Sequence, residues 1–311
     1  MSIGKLVYKY IFEPTAGIRY KFHHYGLKGW LDYELGVTAM KKAAIQLPAI
    51  TLKPSVDCLT INYLTGQQYW YQTIFGIQSL INQYGTDLAI NIYSDGSLQA
   101  EHYEALKNYC PQIVFVAEEE IIESLNAIIP ANKYPKLNFL RNWSPFYKRM
   151  IDIHCKPQWG IHLDSDMLFL KYPTDLVELS KQKKAFYMEE YAGQSFFSDE
   201  PDSLLKNLNI PVIQSVNGGI IAYNGNTIDY DDLEYRTTQL LDTYFDKGPG
   251  PMEQTLMSYI LATQNGIALN KNDYKIYYDN SINQQDDATL RHYIFKAKLP
   301  YFSDEWKKVI L

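Results

Sequence analysis

A soluble α/β protein, with a mostly parallel central sheet, helices on both of its faces and a helical N-terminal extension, is expected from three observations. Strand and helix signals alternate from about residue 57 onward. The 311 residues suit one large domain or a domain with an appendage. Hydrophobic residues make up 46% and charged residues 21%, the balance of a globular protein, and no apolar run approaches the roughly 18 to 20 residues of a membrane helix.

Residues 1–54 stand apart as a basic, aromatic extension. They hold Tyr8, Tyr10, Tyr20, His23, His24 and Tyr25, and Pro48 and Pro54 close them off before a strong strand signal, so the main domain is drawn as 55–311. Asp57 to Leu64 reads as the first strand. Gly66 then introduces a helix whose Trp70, Ile74, Ile77 and Ile81 fall at i, i+4, i+7 and i+11. A second unit follows with a strand over Leu88 to Tyr93, the turn Ser94-Asp95-Gly96-Ser97 and a helix to about Asn108. Gln112 to Val116 is the third strand. A helix is expected from about Ser144 to Cys155, and Gln158 to Leu163 is a strand leading into Asp164-Ser165-Asp166. In such sheets ligands bind beyond the carboxyl ends of the strands.

Charge and cysteine usage exclude several classes. Net charge is −6, which disfavours general nucleic-acid binding, yet residues 1–54 hold eight Lys/Arg against three Asp/Glu (+5), and the remainder 21 against 32 (−11). Cys58, Cys110 and Cys155 are widely spaced and odd in number, fitting reduced thiols rather than a disulfide framework or a metal clip. The first residues lack a secretory pattern, so a cytoplasmic location is expected. No G-x-G-x-x-G follows the first strand and no G-x-x-x-x-G-K-[ST] occurs, which removes the common dinucleotide and P-loop fingerprints.

Asp164 and Asp166 carry the chemistry. In an extended segment positions i and i+2 point to the same side and present two carboxylates together, a pair suited to Mg²⁺ or Mn²⁺. Asp229-Tyr230-Asp231 repeats the spacing, but it lies in a polar acidic stretch, whereas Asp164 follows the apolar Gly160 to Leu163 and precedes Met167 to Leu170. A capped turn without metal is the structural alternative for the first pair. Three further elements follow it in order: Val216-Asn217-Gly218-Gly219-Ile220-Ile221, Met252-Glu253-Gln254, and His292 with Lys298 six residues on.

With these four elements the chain resembles the GT-A-fold, metal-dependent glycosyltransferases that use nucleotide sugars, nearest to the retaining glycogenin and lipopolysaccharide-galactosyltransferase type. The resemblance covers about residues 55–302. It implies a Rossmann-like catalytic domain, Mn²⁺ or Mg²⁺ held by Asp164, Asp166 and His292, and diphosphate charge neutralised by Lys298 and by an Arg before the D-x-D, matched by Arg149 or Lys148. The family's terminal H-x-x-G-x-x-K-P is only partly met, because Phe295 stands at the glycine and Leu299 displaces the proline to Pro300. By resemblance Asn62 and Tyr63 would meet the uracil and Asp95 the uridine. Asn217, Gly218 and Gly219 would let backbone approach a sugar or acceptor. Glu253, alternatively a helix-start acid, and Gln254 would contact sugar or acceptor. An amide at Gln254 cannot take the acceptor's proton as the acid of inverting members does, so retention is expected.

The expected activity is therefore hexose transfer from a UDP-sugar to a glycan, lipid or protein acceptor. Two rivals stand beside it: a nucleotidyltransferase of similar fold, whose basic Gly-rich loop is missing at Leu64-Thr-Gly-Gln-Gln68, and a catalytically silent sugar-binding or scaffold protein. The basic extension suggests weak peripheral contact with an anionic membrane surface. Its alternative is a helical cap that buries Leu27, Trp30, Leu31, Leu35 and Val37 against the main domain. The 27 tyrosines are assigned mainly to packing.

Overall fold

The computed structural model describes residues 13–190, 196–283 and 286–310. Lys5, Tyr8, Lys9 and Tyr10 of the basic extension lie outside them.

Helix α1 (Glu13–Gln46) breaks at Gly26, whose φ of 67° is a left-handed conformation that glycine adopts without a Cβ penalty. The break folds the chain back on itself, stacking Tyr25 on Tyr33 at 5.8 Å and pairing Lys21 with Glu34 at 2.7 Å. Beyond it come β1 (Leu59–Thr65), α2 (Trp70–Tyr84), β2 (Leu88–Ser94), α3 (Ala100–Tyr109) and β3 (Val114–Phe115). The third strand is shorter than its sequence signal. It is an edge strand that pairs with β2 only at Asn91↔Val114 and Ile92↔Phe115. Helices α4 (Glu118–Ile128), α5 (Pro135–Trp143) and α6 (Phe146–Lys148) follow, and α6 runs into a π-wound turn, Arg149–His154, within the expected helix.

The second half holds β4 (Trp159–Leu163), β5 (Met167–Phe169), α7 (Thr174–Lys181), β6 (Phe186–Glu189), α8 (Pro201–Leu208), β7 (Val216–Asn224), α9 (Tyr230–Tyr244) and α10 (Pro249–Thr263). The last elements are β8 (Ile267–Ala268), β9 (Tyr274–Tyr277), β10 (Leu290–Tyr293) and α11 (Lys298–Ser303). Seven strands form one sheet in the order β3-β2-β1-β4-β7-β6-β8. Its pairs are parallel except where β7 meets β4 and β6. A second sheet, β5-β10-β9, stands beside it.

Both faces of the large sheet are covered, as the alternation along β7 demonstrates. Ile220 and Ala222 enter one core with Ile61, Ile90 and Ile161, and Ile221 and Tyr223 enter the other with Tyr187, Leu256 and Ile260. Packing rather than capping holds the helices here: α2 has no side-chain N-cap bond, yet it buries Trp70, Ile74, Ile77 and Leu80. A cap adds about 1 kcal/mol, whereas each such side chain contributes roughly 1.5–3 kcal/mol.

One expectation is corrected on α1. The helix does pack on the main domain, but through Tyr33, Gly36, Val37, Met40 and Ala44, while Leu27, Leu31 and Leu35 are 57%, 47% and 68% exposed. The cause is Gly36. A Cβ there would lie 2.4 Å from the carbonyl oxygen of Phe302, so the glycine sets which face of α1 approaches α11. The second D-x-D is also explained: Asp229 caps α9 by accepting from the Asp232 amide at 3.0 Å, and Asp231 pairs with Lys133.

Candidate active site

Asp164-Ser165-Asp166 is the short link between β4 of the large sheet and β5 of the small one. Strand register then brings the other elements to it. β4 pairs with β7 up to Leu163↔Ile220, and the next amide, Asp164 N–H, donates to the Gly219 carbonyl at 2.8 Å, which sets Asn217-Gly218-Gly219 beside the carboxylates. β10 pairs with β5 at His292↔Met167, which sets the histidine there as well. Ser165 anchors the link from behind, its hydroxyl 2.8 Å from that of Thr73 on α2.

Ligand atoms of Asp164, Asp166 and His292 all lie within 4.8 Å of one another. His292 is 3% exposed, and its Nε2 stands 3.1 Å from Asp166 Oδ1 and 3.9 Å from Asp164 Oδ2. Its Nδ1 has no hydrogen-bond partner, and its Nε2 faces only the two carboxylates. A buried imidazole turned onto two acids is an arrangement that a shared cation would satisfy. Two carboxylates and one imidazole suit a hard divalent cation.

Cations surround these acids. Lys298 Nζ rests against Asp166 Oδ2 and also donates to Gln72 Oε1 at 3.2 Å. Burial works against ionisation of Asp166, but Lys298 and His292 together hold its carboxyl well below the usual range. For Asp164 burial is likewise outweighed, by the Arg149 guanidinium and by His162, whose Nε2 lies 3.0 Å from Oδ1. Arg149 is thus the basic residue that reaches the D-x-D, at 3.2 Å, whereas Lys148 lies nearest Glu118 at 3.9 Å. The π-wound turn starts at Arg149 and turns its side chain inward, a distortion often found at functional positions.

Arg149 also makes a two-point contact with Glu253, Nε to Oε1 at 2.6 Å and Nη2 to Oε2 at 2.8 Å. Glu253 is fully buried and sits in the second turn of α10, so the helix-start reading falls away. Burial raises its carboxyl pKa, with Arg149 opposing. Gly218 and Gly219 leave no room for side chains: a Cβ would meet Arg149 Nη2 at 2.7 Å in the first case, and Met167 Cε at 2.3 Å and His292 Cε1 at 2.7 Å in the second. Asn217 donates to Glu190 at 2.8 Å and accepts from the Gly219 amide at 2.9 Å. Gln254 Oε1 is buried without a partner.

Asp164, Asp166, His292, Arg149, Glu253 and Gln254 line one cleft of about 390 Å³ together with Asn217-Gly218-Gly219. A larger groove, about 590 Å³, lies between α1 and α11 and contains none of them. Asn62 and Tyr63 do not reach the cleft, which corrects their expected part in base binding. Asn62 spends its amide inside the sheet, donating to the Ile161 carbonyl at 2.8 Å and accepting from Asn91 at 3.0 Å, and Tyr63 is 1% exposed in the core. Asp95 follows β2 as expected, half-buried, with Oδ1 taken by the amide and hydroxyl of Ser97.

Two residues were missed. Tyr69, just before α2, is 44% exposed, and burial followed by the negative charge of Asp166, Asp164 and Asp95 raises its hydroxyl pKa. Glu190 ends β6, buried and bonded to Asn217. A strand-end acid and an aromatic at a helix start were the available signals.

The architecture and the site together define an α/β protein with a strand-end Asp-Asp-His cluster ringed by basic side chains. Among solved structures the chain is similar to the galactosyltransferase LgtC in complex with donor and acceptor sugar analogs, at 12% identity over 81% of this chain and 94% of that one, with a TM-score of 0.49. It is also similar to the WbbM bifunctional glycosyltransferase (13% identity, 84% of this chain, TM-score 0.49), of whose length it spans about half, 52%. Mouse xyloside xylosyltransferase 1 is a third (12% identity, 78% and 97% covered, TM-score 0.47). No family model and no curated protein matches. What the cleft can do follows from its own side chains.

Proposed function

We propose that this chain is a metal-dependent glycosyltransferase that moves a hexose from a UDP-sugar to an acceptor hydroxyl with retention. The observation that carries it is the convergence of buried His292, its Nε2 turned onto the carboxylates of Asp166 and Asp164, with Lys298 on Asp166. Asp164, Asp166 and His292 would hold Mn²⁺ or Mg²⁺, which when bound supplies positive charge to the diphosphate leaving group. Lys298 adds a second positive charge on the same side. Arg149, fixed by Glu253 and the Gly218 carbonyl, orients Asp164.

Retention is supported by the state of Glu253. It is committed to Arg149 through both of its oxygens, so it is not free to take the acceptor's proton. The donor's C1–O bond then breaks with its electron pair going to the diphosphate oxygen. The acceptor oxygen bonds to C1 from the same face and passes its proton to that departing oxygen. Gln254, with a free carbonyl oxygen turned inward, would accept a hydrogen bond from the sugar or the acceptor. Tyr69 takes the place of Tyr63 as the ring that meets the base.

The nearby basic extension supports weak contact with an anionic membrane surface. Lys28, Lys41 and Lys42 are exposed on the helix that exposes Leu27, Leu31 and Leu35. No helix among the described residues is long and apolar enough to cross a membrane.

Calorimetry of UDP binding with Mn²⁺ tests the proposed donor site. Asp166→Ala should abolish Mn²⁺-dependent binding and keep the wild-type circular dichroism spectrum. Undiminished Mn²⁺ dependence in that variant would overturn the reading.

A further inference from the structure

Phe295 occupies a backbone conformation that bulky residues rarely adopt. Its φ is +47°, in the left-handed region, at the very position where the terminal motif of the resembled family has glycine. Such strain persists only where the surroundings enforce it, and it concentrates at functional positions. Here the enforcement is visible. The Phe295 carbonyl accepts the Tyr25 hydroxyl at 3.0 Å, and the amides on either side, Ile294 and Lys296, donate to the carbonyls of Tyr277 and Tyr278 at 3.0 Å each.

The strained backbone does not bury the ring. Phe295 is 51% exposed and lines the cleft that holds the carboxylates. The ring lies against Tyr278 at 6.1 Å with 20° between planes, and against Phe196 at 6.2 Å with 33°. Phe196 and Phe146 line the same cleft, 37% and 53% exposed. Three exposed phenylalanines at one opening are an unusual use of apolar surface. The same cleft is lined by polar groups, Gln254, whose Oε1 is unpartnered, and Asn217 bonded to Glu190. Aromatic and hydrogen-bonding groups in one cleft match a pyranose, whose C–H face is apolar and whose rim of hydroxyls is not. A hydrocarbon chain would leave the Gln254 oxygen unsatisfied.

We infer that Phe295, braced by Tyr278 and Phe196, is a specificity-determining shelf on which the sugar ring of a saccharide acceptor stacks. This inference rests on the transferase reading above and adds the acceptor's chemical class. It gives the glycine-to-phenylalanine departure a purpose: a phosphate-side loop has become a wall of the acceptor subsite.

The test is saturation-transfer NMR on the full chain with UDP and Mn²⁺, irradiating aromatic resonances. The probes are the methyl β-pyranosides of glucose, galactose and N-acetylglucosamine, with octyl β-glucoside as a hydrocarbon control. At least one pyranoside should receive saturation on its axial C–H protons. Phe295→Tyr should keep the signal and Phe295→Gly should weaken binding roughly two- to tenfold, the range of a lost aromatic contact. Because glycine relieves the left-handed strain, Phe295→Gly should melt no lower than the wild type. The inference is overturned if a wild type that binds UDP shows no ring-to-pyranoside transfer, if Phe295→Gly binds as tightly, or if only the octyl chain is saturated. Failure of the wild type to bind UDP at all would instead overturn the transferase reading, and the pyranoside signal would then mark a sugar-binding protein.

Discussion

Tyr69 makes the most direct residue-level claim about the donor. Tyr69, 44% exposed just before α2 and within the field of Asp166, Asp164 and Asp95, is the ring proposed to stack on the base, and removal of such a stack costs about 1–3 kcal/mol per base. Tyr69→Ala should therefore weaken UDP affinity roughly 5- to 150-fold in calorimetry while leaving Mn²⁺ dependence intact, whereas unchanged affinity would remove Tyr69 from the base site. A second residue-level prediction concerns His154, which is 2% exposed, stacked on Tyr223 at 4.3 Å and without hydrogen bonds. Desolvation by burial, helped by His162 and Arg149, lowers its pKa well below 6.5. The unfolded chain then binds a proton that the fold refuses, so this contribution is complete above about pH 6.5 and is lost as pH falls below it, by roughly 1 kcal/mol one unit lower. Urea unfolding at about pH 7.5 and about pH 5.5 should show His154→Phe losing less stability on acidification than the wild type by that amount. An equal loss in both would mean that His154 is not held neutral. Asp164 and Asp166 were legible as a carboxylate pair set between apolar runs, and His292 only through the resemblance, because one histidine by itself announces no ligand. Residue type could not direct Asn62 or Tyr63: both faces of β1 are covered, and the Asn62 amide is claimed by Ile161, 99 positions away.

At the scale of elements, the site depends on how closely β7 approaches β5 and β10. Gly219 is the point of contact, and Gly219→Ala would push a methyl into Met167 and His292. Mn²⁺-dependent UDP binding should fall by at least the loss expected for a displaced ligand, roughly 10- to 100-fold, with only a modest change in melting temperature. Binding unchanged by the added methyl would contradict the geometry of the cluster. The register that creates this contact was only partly legible. The strand ending at Asp164 could be read from its apolar run, but the small sheet that carries His292 arises from pairing between β5 and β10, about 120 residues apart, and nothing local announces it. The π-wound turn was hidden for the same reason: its sequence reads as an ordinary helix, and only the Arg149 contacts to Asp164 and Glu253 reveal the shift. The extension was expected to be helical, and of the residues named for its buried face Val37 packs while Leu27, Leu31 and Leu35 do not, because the decisive residue, Gly36, has no side chain to contribute to an apolar count.

For the whole molecule, the charge division between a basic extension and an acidic body is accompanied on α1 by outward-facing Leu27, Leu31 and Leu35, with Lys28 beside them and Lys41 and Lys42 exposed further along. Anionic vesicles at low salt should co-sediment the full chain, and the double variant Leu31→Asp with Leu35→Asp should release it. Equal sedimentation of both would leave α1 as a brace for α11 and for the Phe295 turn that Tyr25 holds. Through that hydrogen bond α1 touches Phe295, a residue that lines the cleft. The central claim, however, is transfer chemistry at the Asp-Asp-His cluster. Its most direct measurement is release of UDP by the purified chain across a panel of UDP-hexoses with Mn²⁺. Release from at least one donor, abolished by chelation and by His292→Ala, is the predicted result; no release from any donor, or release that survives chelation, would contradict it.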